Sequence, residues 1–305
     1  MLRFVFRRVM EMIPVLLVIA TVVFFMVRFV PGGPFDQEKT LPETVKAQLN
    51  AHYGLDQPLA VQYVRYLGNL AKGDLGPSYR YPGWTVNELI AERAVVSAEL
   101  GFWGLLVAVL VGIPAGAVAA IRPNSWLDHV PTSLATLGIC IPTFVLGPLL
   151  ILIFALKLGW FHALGWNEAS DRILPALALG LVFAAPIARL TRGSMLEVRN
   201  QDYMRTAHAK GLSAVRIYFV HGLRNALLSV VTYIGPAAAG LISGSFVVES
   251  MFNIPGLGKL FVMSAFNREY TMICGTVLFY AAALLLLNLV VDVLLVLLNP
   301  RIKAE

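Results

Sequence analysis

Residues 100–121 read LGFWGLLVAVLVGIPAGAVAAI, without a single Asp, Glu, Lys or Arg. An α-helix rises about 1.5 Å per residue, so roughly 20 apolar residues cross about 30 Å of hydrocarbon. The stretch Leu100–Ile121 is therefore long enough to span a bilayer. Working outward from it, five more runs come close enough to qualify: Val9–Phe29, Leu134–Leu156, Ile173–Ala188, Leu228–Val248 and Thr271–Leu298, of which Ile173–Ala188 is the shortest. Of the 305 residues, 58% are hydrophobic and 14% charged, and the apolar ones come in blocks. The sequence predicts an all-α polytopic membrane protein with six transmembrane helices. Arg7 and Arg8 precede the first run as in an export signal, but the run is long and VPGGP (30–34) offers no small-residue cleavage site. It is expected to stay as a helix.

Lys and Arg in short connections resist translocation and so report sidedness. Arg3, Arg7 and Arg8 place the N-terminus inside. With six spans the connection Arg189–Leu227 is then cytoplasmic too, and it carries Arg189, Arg192, Arg199, Arg205, Lys210, Arg216 and Arg224 against Glu197 and Asp202. The formal charge of +6 thus reads as a sidedness signal and not as a nucleic-acid footprint. The expected organisation is an N-terminus and first helix over 1–30, an extracytoplasmic helical segment over 31–93, a core of five spans over 94–299 and a cytoplasmic tail over 300–305. In the outer segment Val45, Leu49 and Tyr53, then Leu59, Tyr63, Leu67 and Leu70, recur at helical spacing, which predicts short helices. This cap is either packing alone or a receiver for a delivery protein.

The spans contain Pro14, Pro114, Pro142, Pro148, Pro175, Pro186 and Pro236, and the pairs Gly112/Gly116 and Gly240/Gly244 at small-xxx-small spacing. Such helices pack closely and bend, a pattern common in membrane helices generally. Cys140 and Cys274 lie inside predicted spans, where Cys behaves as a small hydrophobe. Glu11 and Arg28 sit near the ends of the first span, within reach of the interface, and Glu99 just outside the second. Asp292, with Asn288 one turn earlier, is the intramembrane charge to explain. A helix–helix packing role competes with an ion relay, and no second titratable group well inside a span continues a relay.

The five histidines form no HExxH or other metal-ligand spacing, GxSxG is missing, and PGLGKL (255–260) lacks the GxxxxGK[ST] spacing of a phosphate loop. No enzyme constellation, bound metal or bound nucleotide is expected on this chain.

RTAHAKGLSAVRIYFVHGLRNAL (205–227) places Leu212, Val215, Phe219 and Leu223 at i, i+3, i+7 and i+11, one face of a helix, with Lys210, Arg216 and Arg224 around it. Such an element either lies on the anionic inner leaflet or docks on a partner. Gly211 suits a turn between two short helices. The stretch resembles the EAA loop of ABC importer permeases, which contains the coupling helix. Arg205, Thr206 and Ala207 take the first three places of that pattern, Gly211 the glycine and Leu223 the leucine. Arg205 stands where many permeases have Glu, His221 where Ile is usual and Arg224 where Pro is usual.

The resemblance extends over nearly the whole chain, through GLDQP, GDLGPS, RLTRGSMLEV, VVESMFNIPGLGKL and NLVVDVLLVLLNPRI, to the oligopeptide/dipeptide permease family. TLPETVKAQLNAHYGLDQP and GDLGPSYRYPGWTVNEL bring it nearest to the B-subunit branch of the oligopeptide permeases. The resemblance implies the type I ABC importer permease fold and a multi-pass protein of the bacterial inner membrane. It implies pairing with a second, homologous permease, two cytoplasmic ATPases that hold ATP and magnesium, and an extracytoplasmic solute-binding protein, with membrane lipid around them. It further implies that Arg205 to Arg224 couple to the ATPases and that Phe252, Pro255, Gly256 and Gly258 form the outer mouth. An ion-coupled secondary transporter or channel is the alternative, with Asp292 as coupling residue.

Overall fold

A computed structural model of the chain describes residues 2–36, 42–213, 216–243 and 245–298. Among these the regular structure is helical: α1 (Leu2–Phe29), α2 (Glu43–Tyr53), α3 (Leu59–Leu70), α4 (Val86–Ile121), α5 (Trp126–Cys140), α6 (Thr143–Leu150), α7 (Ile173–Arg199), α8 (Asp202–Ala209), α9 (Leu223–Ser243), α10 (Phe246–Met251), α11 (Leu257–Phe266) and α12 (Tyr270–Leu298). Segments built on α1, α4, α7, α9 and α12 are each long and apolar enough to cross a membrane.

The remaining expected span, Leu134–Leu156, is not one helix. α5 ends at Cys140, and after Ile141 and Pro142 the chain resumes as α6 and winds into a π-helical turn over Ile151–Lys157. Pro142 explains the break: it has no N–H to give, and its ring disfavours helical geometry at the residue before it. Two other boundaries also move. α4 begins at Val86 because Thr85 and Glu88 form a capping box, with Glu88 N–H on Thr85 Oγ1 at 3.3 Å and Thr85 N–H on Glu88 Oε2 at 2.9 Å. Its 36 residues make about 54 Å of helix, more than a bilayer core is thick. α7 likewise continues past Ala188, carrying Arg189, Arg192 and Arg199 on the same helix.

α4 and α7 run side by side in the same direction and form the centre of the bundle. Gly104 packs against Leu179, Gly112 against Ala184 and Ile187, and Gly116 against Ala188 and Thr191. A methyl group on Gly112 would sit 2.6 Å from the Ala184 carbonyl oxygen, so the helices approach this closely only because there is no side chain. α9 closes over the pair, with Ala108, Ile187 and Val230 in one buried cluster.

α1 and α12 lie antiparallel at the periphery. Arg8 Nη2 meets Asp292 Oδ2 at 3.1 Å at one end, and Val23 and Val27 pack with Tyr270, Ile273 and Cys274 at the other. Phe6, Ile13, Leu17 and Val18 of α1 stay exposed, as suits a lipid-facing surface. α2 and α3 form a cap beyond the Phe29 end of α1. Thr21 Oγ1 and Tyr63 OH are 2.8 Å apart, and Arg28 lies 3.6 Å over the Phe24 ring while donating to Gln62 Oε1 at 3.0 Å. Glu269, 2% exposed, ties the cap to the start of α12 by accepting from Ser78 Oγ and from Tyr79 N–H.

Candidate coupling surface and mouth

The end of the bundle opposite the cap carries α8. Met204 and Ala207 of α8 turn inward onto Ile217, with Leu212, Tyr218 and Val198 packed around them. After Lys210 the chain reverses at Gly211, whose φ is +71° and whose N–H donates to His208 O at 3.0 Å. A Cβ at Gly211 would meet nothing within 4 Å. The demand there is for left-handed backbone, which glycine adopts without steric cost. Arg205, Thr206, Lys210, Arg216, Phe219 and Arg224 are exposed around this buried knot, whereas Ala207 is part of it. Arg205 and Asp202 approach to 3.7 Å with both side chains in solvent, an arrangement that contributes little.

The single apolar helix face expected from Leu212, Val215, Phe219 and Leu223 does not form among the described residues. Val215 lies outside them, Phe219 is 41% exposed, and Ile217 is fully buried. Over Arg216–Gly222 the chain is π-helical, with hydrogen bonds reaching i+5, so a 3.6-residue period selects the wrong side. Nor is this a second short helix, because the wide turn runs into α9 without interruption. Asn225 Nδ2 donates to Tyr203 OH at 2.8 Å, tying α9 to α8. A groove of about 740 Å³ opens here, lined by Tyr203, Phe219, Val220, His221, Leu223 and Arg224 among others. Its walls are mostly apolar, and Arg224 and His221 stand among them. The inward role of Met204 and Ile217 was invisible to periodicity, since the wide turn leaves no signature in residue type.

At the opposite end, α10, the turn 252–256 and α11 fold around one carboxylate. Glu249 is fully buried and accepts from Ser97 Oγ at 2.7 Å, Ser245 Oγ at 2.5 Å and Lys259 N–H at 2.9 Å. Ser97 Oγ also accepts from Leu257 N–H at 2.8 Å, so α4 and α10 together cap the first turn of α11. Phe252 is core, packed with Leu100, Leu174 and Leu241. Pro255 is exposed, and its carbonyl accepts from Arg93 Nη1 at 3.3 Å. Gly256 is pressed against the Glu249 carboxylate, and a Cβ on Gly258 would lie 2.8 Å from the Phe246 Cα. The glycines of this motif are thus required by close approach. Glu249 itself carried no sequence signal beyond being an acid at the end of an apolar run.

Residues 112–304 match the family described as binding-protein-dependent transport system inner membrane component, and residues 1–79 match its N-terminal counterpart. The chain belongs to this family. It is 45% identical over 305 residues to the oligopeptide transport system permease protein OppB of Haemophilus influenzae, covering 99% of this chain and 100% of that one. The dipeptide transport system permease protein DppB of Bacillus subtilis is 45% identical over 303 residues, covering 99% and 98%. In fold it resembles the inward-facing MetNI methionine ABC transporter, with a TM-score of 0.57 at 18% identity over 69% of this chain and 96% of that one. An amino acid ABC transporter shows a TM-score of 0.51 at 16% identity, covering 71% and 95%. The protein is a multi-pass inner-membrane permease of an ABC importer, a transport component and not an enzyme, working with an ATPase and a binding protein.

Near the α8 end of this permease, Arg192 of α7 clasps Asp128 of α5 through two hydrogen bonds of 2.6 and 2.7 Å. Asp128 is 2% exposed and also accepts from Asn124 N–H at 2.9 Å. The guanidinium holds its carboxyl well below the usual carboxylate range. Sequence reading passed over this pair because its partners are far apart in the chain. The permease places Asp292 against Arg8, as noted, and Asn288 on the α12 face where Gly235 of α9 approaches, a Cβ there falling 3.2 Å from Asn288 Oδ1.

Proposed function

We propose that this permease is one half of the translocation pathway of an ATP-driven peptide importer, paired with a second, homologous permease. Two cytoplasmic ATPases, which bind the ATP and magnesium, engage the segment Arg205 to Arg224. The observation that carries this reading is the surface around Gly211: cations and the apolar Phe219 and Val220 stand exposed around a groove on a buried anchor of Met204, Ala207 and Ile217. A short helix seated in a partner's groove transmits closure of that partner as a rigid lever. The concentration of Arg and Lys at this end supports a cytoplasmic position for it and for both termini. Phe252 to Gly258 and the cap then face outward, toward the solute-binding protein. Peptide as the cargo rests on the relatives, whose names specify oligopeptides and dipeptides.

Tagged protein purified in mild detergent is expected to bring down two ATPases and a second permease with vanadate-sensitive ATPase activity. A lone, inactive chain on repetition would refute the reading. Gly211→Pro is expected to insert normally but to abolish coupled uptake, because proline holds φ near −65° and removes the N–H bonded to His208. Wild-type uptake in that variant would remove Gly211 from the coupling element.

A further inference from the structure

The cap encloses a concave site that the coupling and mouth assignments leave unused. It has a volume of about 540 Å³, within the roughly 300–1,000 Å³ usual for small-molecule sites. Tyr53, Tyr79 and Trp84 contribute aromatic wall, Arg65 and Asp74 contribute charges of opposite sign, and Arg28 and Tyr66 line it toward the bundle. Three observations set it apart from an ordinary crease between helices.

First, neither Arg65 nor Asp74, both solvent-exposed, makes an ion pair among the described residues, and Arg28 adds a second guanidinium to the lining. Arg65 Nη2 donates to the neutral Gln57 Oε1 at 2.8 Å, and Asp74 Oδ1 accepts from Gly76 N–H at 2.8 Å. Second, the Tyr66 hydroxyl is buried with no hydrogen-bond partner among the described residues, so this residue gives the cavity its ring and not its polar tip. Third, the walls are held in place. Tyr53 packs on Tyr79 with ring centroids 4.6 Å apart, and Ser78 and Tyr79 are fixed by Glu269, so the site is a formed concavity on a braced frame.

A guanidinium and a carboxylate presented in one aromatic-walled cavity match a small molecule with an anionic end, a cationic end and variable apolar groups between them. We propose that this cavity binds short zwitterionic peptides, Arg65 receiving the C-terminal carboxylate and Asp74 the N-terminal ammonium. This rests on the peptide reading above and adds a site on the permease itself, before the membrane is crossed. A planar guanidinium pairs well with a carboxylate. The aromatic walls accept side chains without reading them closely, so the site recognises the ends of a peptide and tolerates its sequence.

The test uses the assembled permease–ATPase complex in phosphatidylcholine nanodiscs, which contain no lipid with a primary ammonium, and omits the binding protein. Binding of tri-alanine, N-acetyl-tri-alanine and tri-alanine amide is measured by equilibrium dialysis. Tri-alanine is expected to bind more tightly than either capped form. Arg65→Gln should weaken tri-alanine at least tenfold and leave the amide unchanged, and Asp74→Asn should do the same with the N-acetyl form as the unchanged ligand. Absence of saturable binding to the wild type would overturn the proposal. So would equal weakening of all three peptides by each variant. If Arg65→Gln fails to assemble, Arg65→Lys retains the charge, and the Asp74 arm decides. ATP-driven uptake of a peptide mixture with the binding protein present separates the two readings. No uptake refutes the peptide cargo, whereas uptake without binding-protein-free binding refutes only this cavity.

Discussion

The two ends of the bundle treat charge in opposite ways. At the mouth, Glu249 and Glu269 are buried and their oxygens are matched by hydroxyls and backbone N–H groups of the same chain. At the α8 end, proposed to couple to the ATPases, Lys210, Arg216 and Arg224 stand exposed and make no ion pair among the described residues. Burying a carboxylate is tolerable only when its hydrogen bonds are complete, so the mouth is a structure finished within this chain. Exposed cations cost nothing in solvent and contribute little until an oppositely charged surface excludes water around them. Around Glu249 and Glu269 the chain holds a shape, and around Lys210, Arg216 and Arg224 it presents charge to its surroundings.

That contrast can be broken experimentally. The largest effect is expected at the common frame beneath both ends: Gly112→Leu must displace the Ala184 carbonyl and Ile187, and overpacking of this kind costs about 3 kcal/mol. The folded yield in detergent should collapse, and a normal yield would show that α4 and α7 can separate. Next comes the mouth, where Glu249→Ala leaves Ser97, Ser245 and the Lys259 N–H without their acceptor, at about 2 kcal/mol. Glu249→Gln, which keeps an acceptor oxygen, should lose less, and the two unfolding temperatures compared directly would show whether hydrogen bonding or mere volume is at work.

At the coupling end the expectation is reversed. Arg216→Glu should leave stability within about 0.5 kcal/mol, as is usual for surface substitutions, while sharply reducing co-purification of the ATPases; unchanged co-purification would separate this cation from docking. The smallest effect belongs to His162, in the segment before α7, whose Nδ1 lies 2.9 Å from Asp171 Oδ1. That hydrogen bond raises the imidazole's pKa above its ordinary value. A raised folded-state pKa means the contribution is complete below about pH 6.5, the ordinary imidazole value, and is lost as pH rises through the folded value. The wild type should therefore unfold slightly later than His162→Asn at about pH 5.5 and no later at about pH 9, read by thermal melts.

What the sequence disclosed and what it hid divide along physical lines. Long apolar runs announce spans because hydrocarbon thickness sets their length, and α1, α4, α7, α9 and α12 contain or largely overlap the runs read that way. The break at Pro142 was written in the sequence as a proline, yet Pro114 and Pro186 stand inside unbroken helices, so residue type alone did not distinguish a break from a bend. Around the candidate site, Gly211 was readable because only a backbone of unusual hand makes glycine necessary there. The apolar face was misread because a wide turn changes the period while leaving composition untouched. Glu249 and the Asp128–Arg192 pair were missed for another reason. Their meaning lies in contacts between distant parts of the chain, which no local pattern encodes.

The antiparallel pairing of α1 with α12 also sets an order in time. α1 emerges from the ribosome before α12, so Arg8 has no Asp292 to meet until α12 has been made. Until then α1 is held by the cap at its Phe29 end alone, and its outward side chains, being hydrocarbon, are at home in lipid. The α1 side of the bundle therefore closes only when α12 is made, and a chain cut short before residue 270 would leave α1 with the cap but without the helix that lies along it.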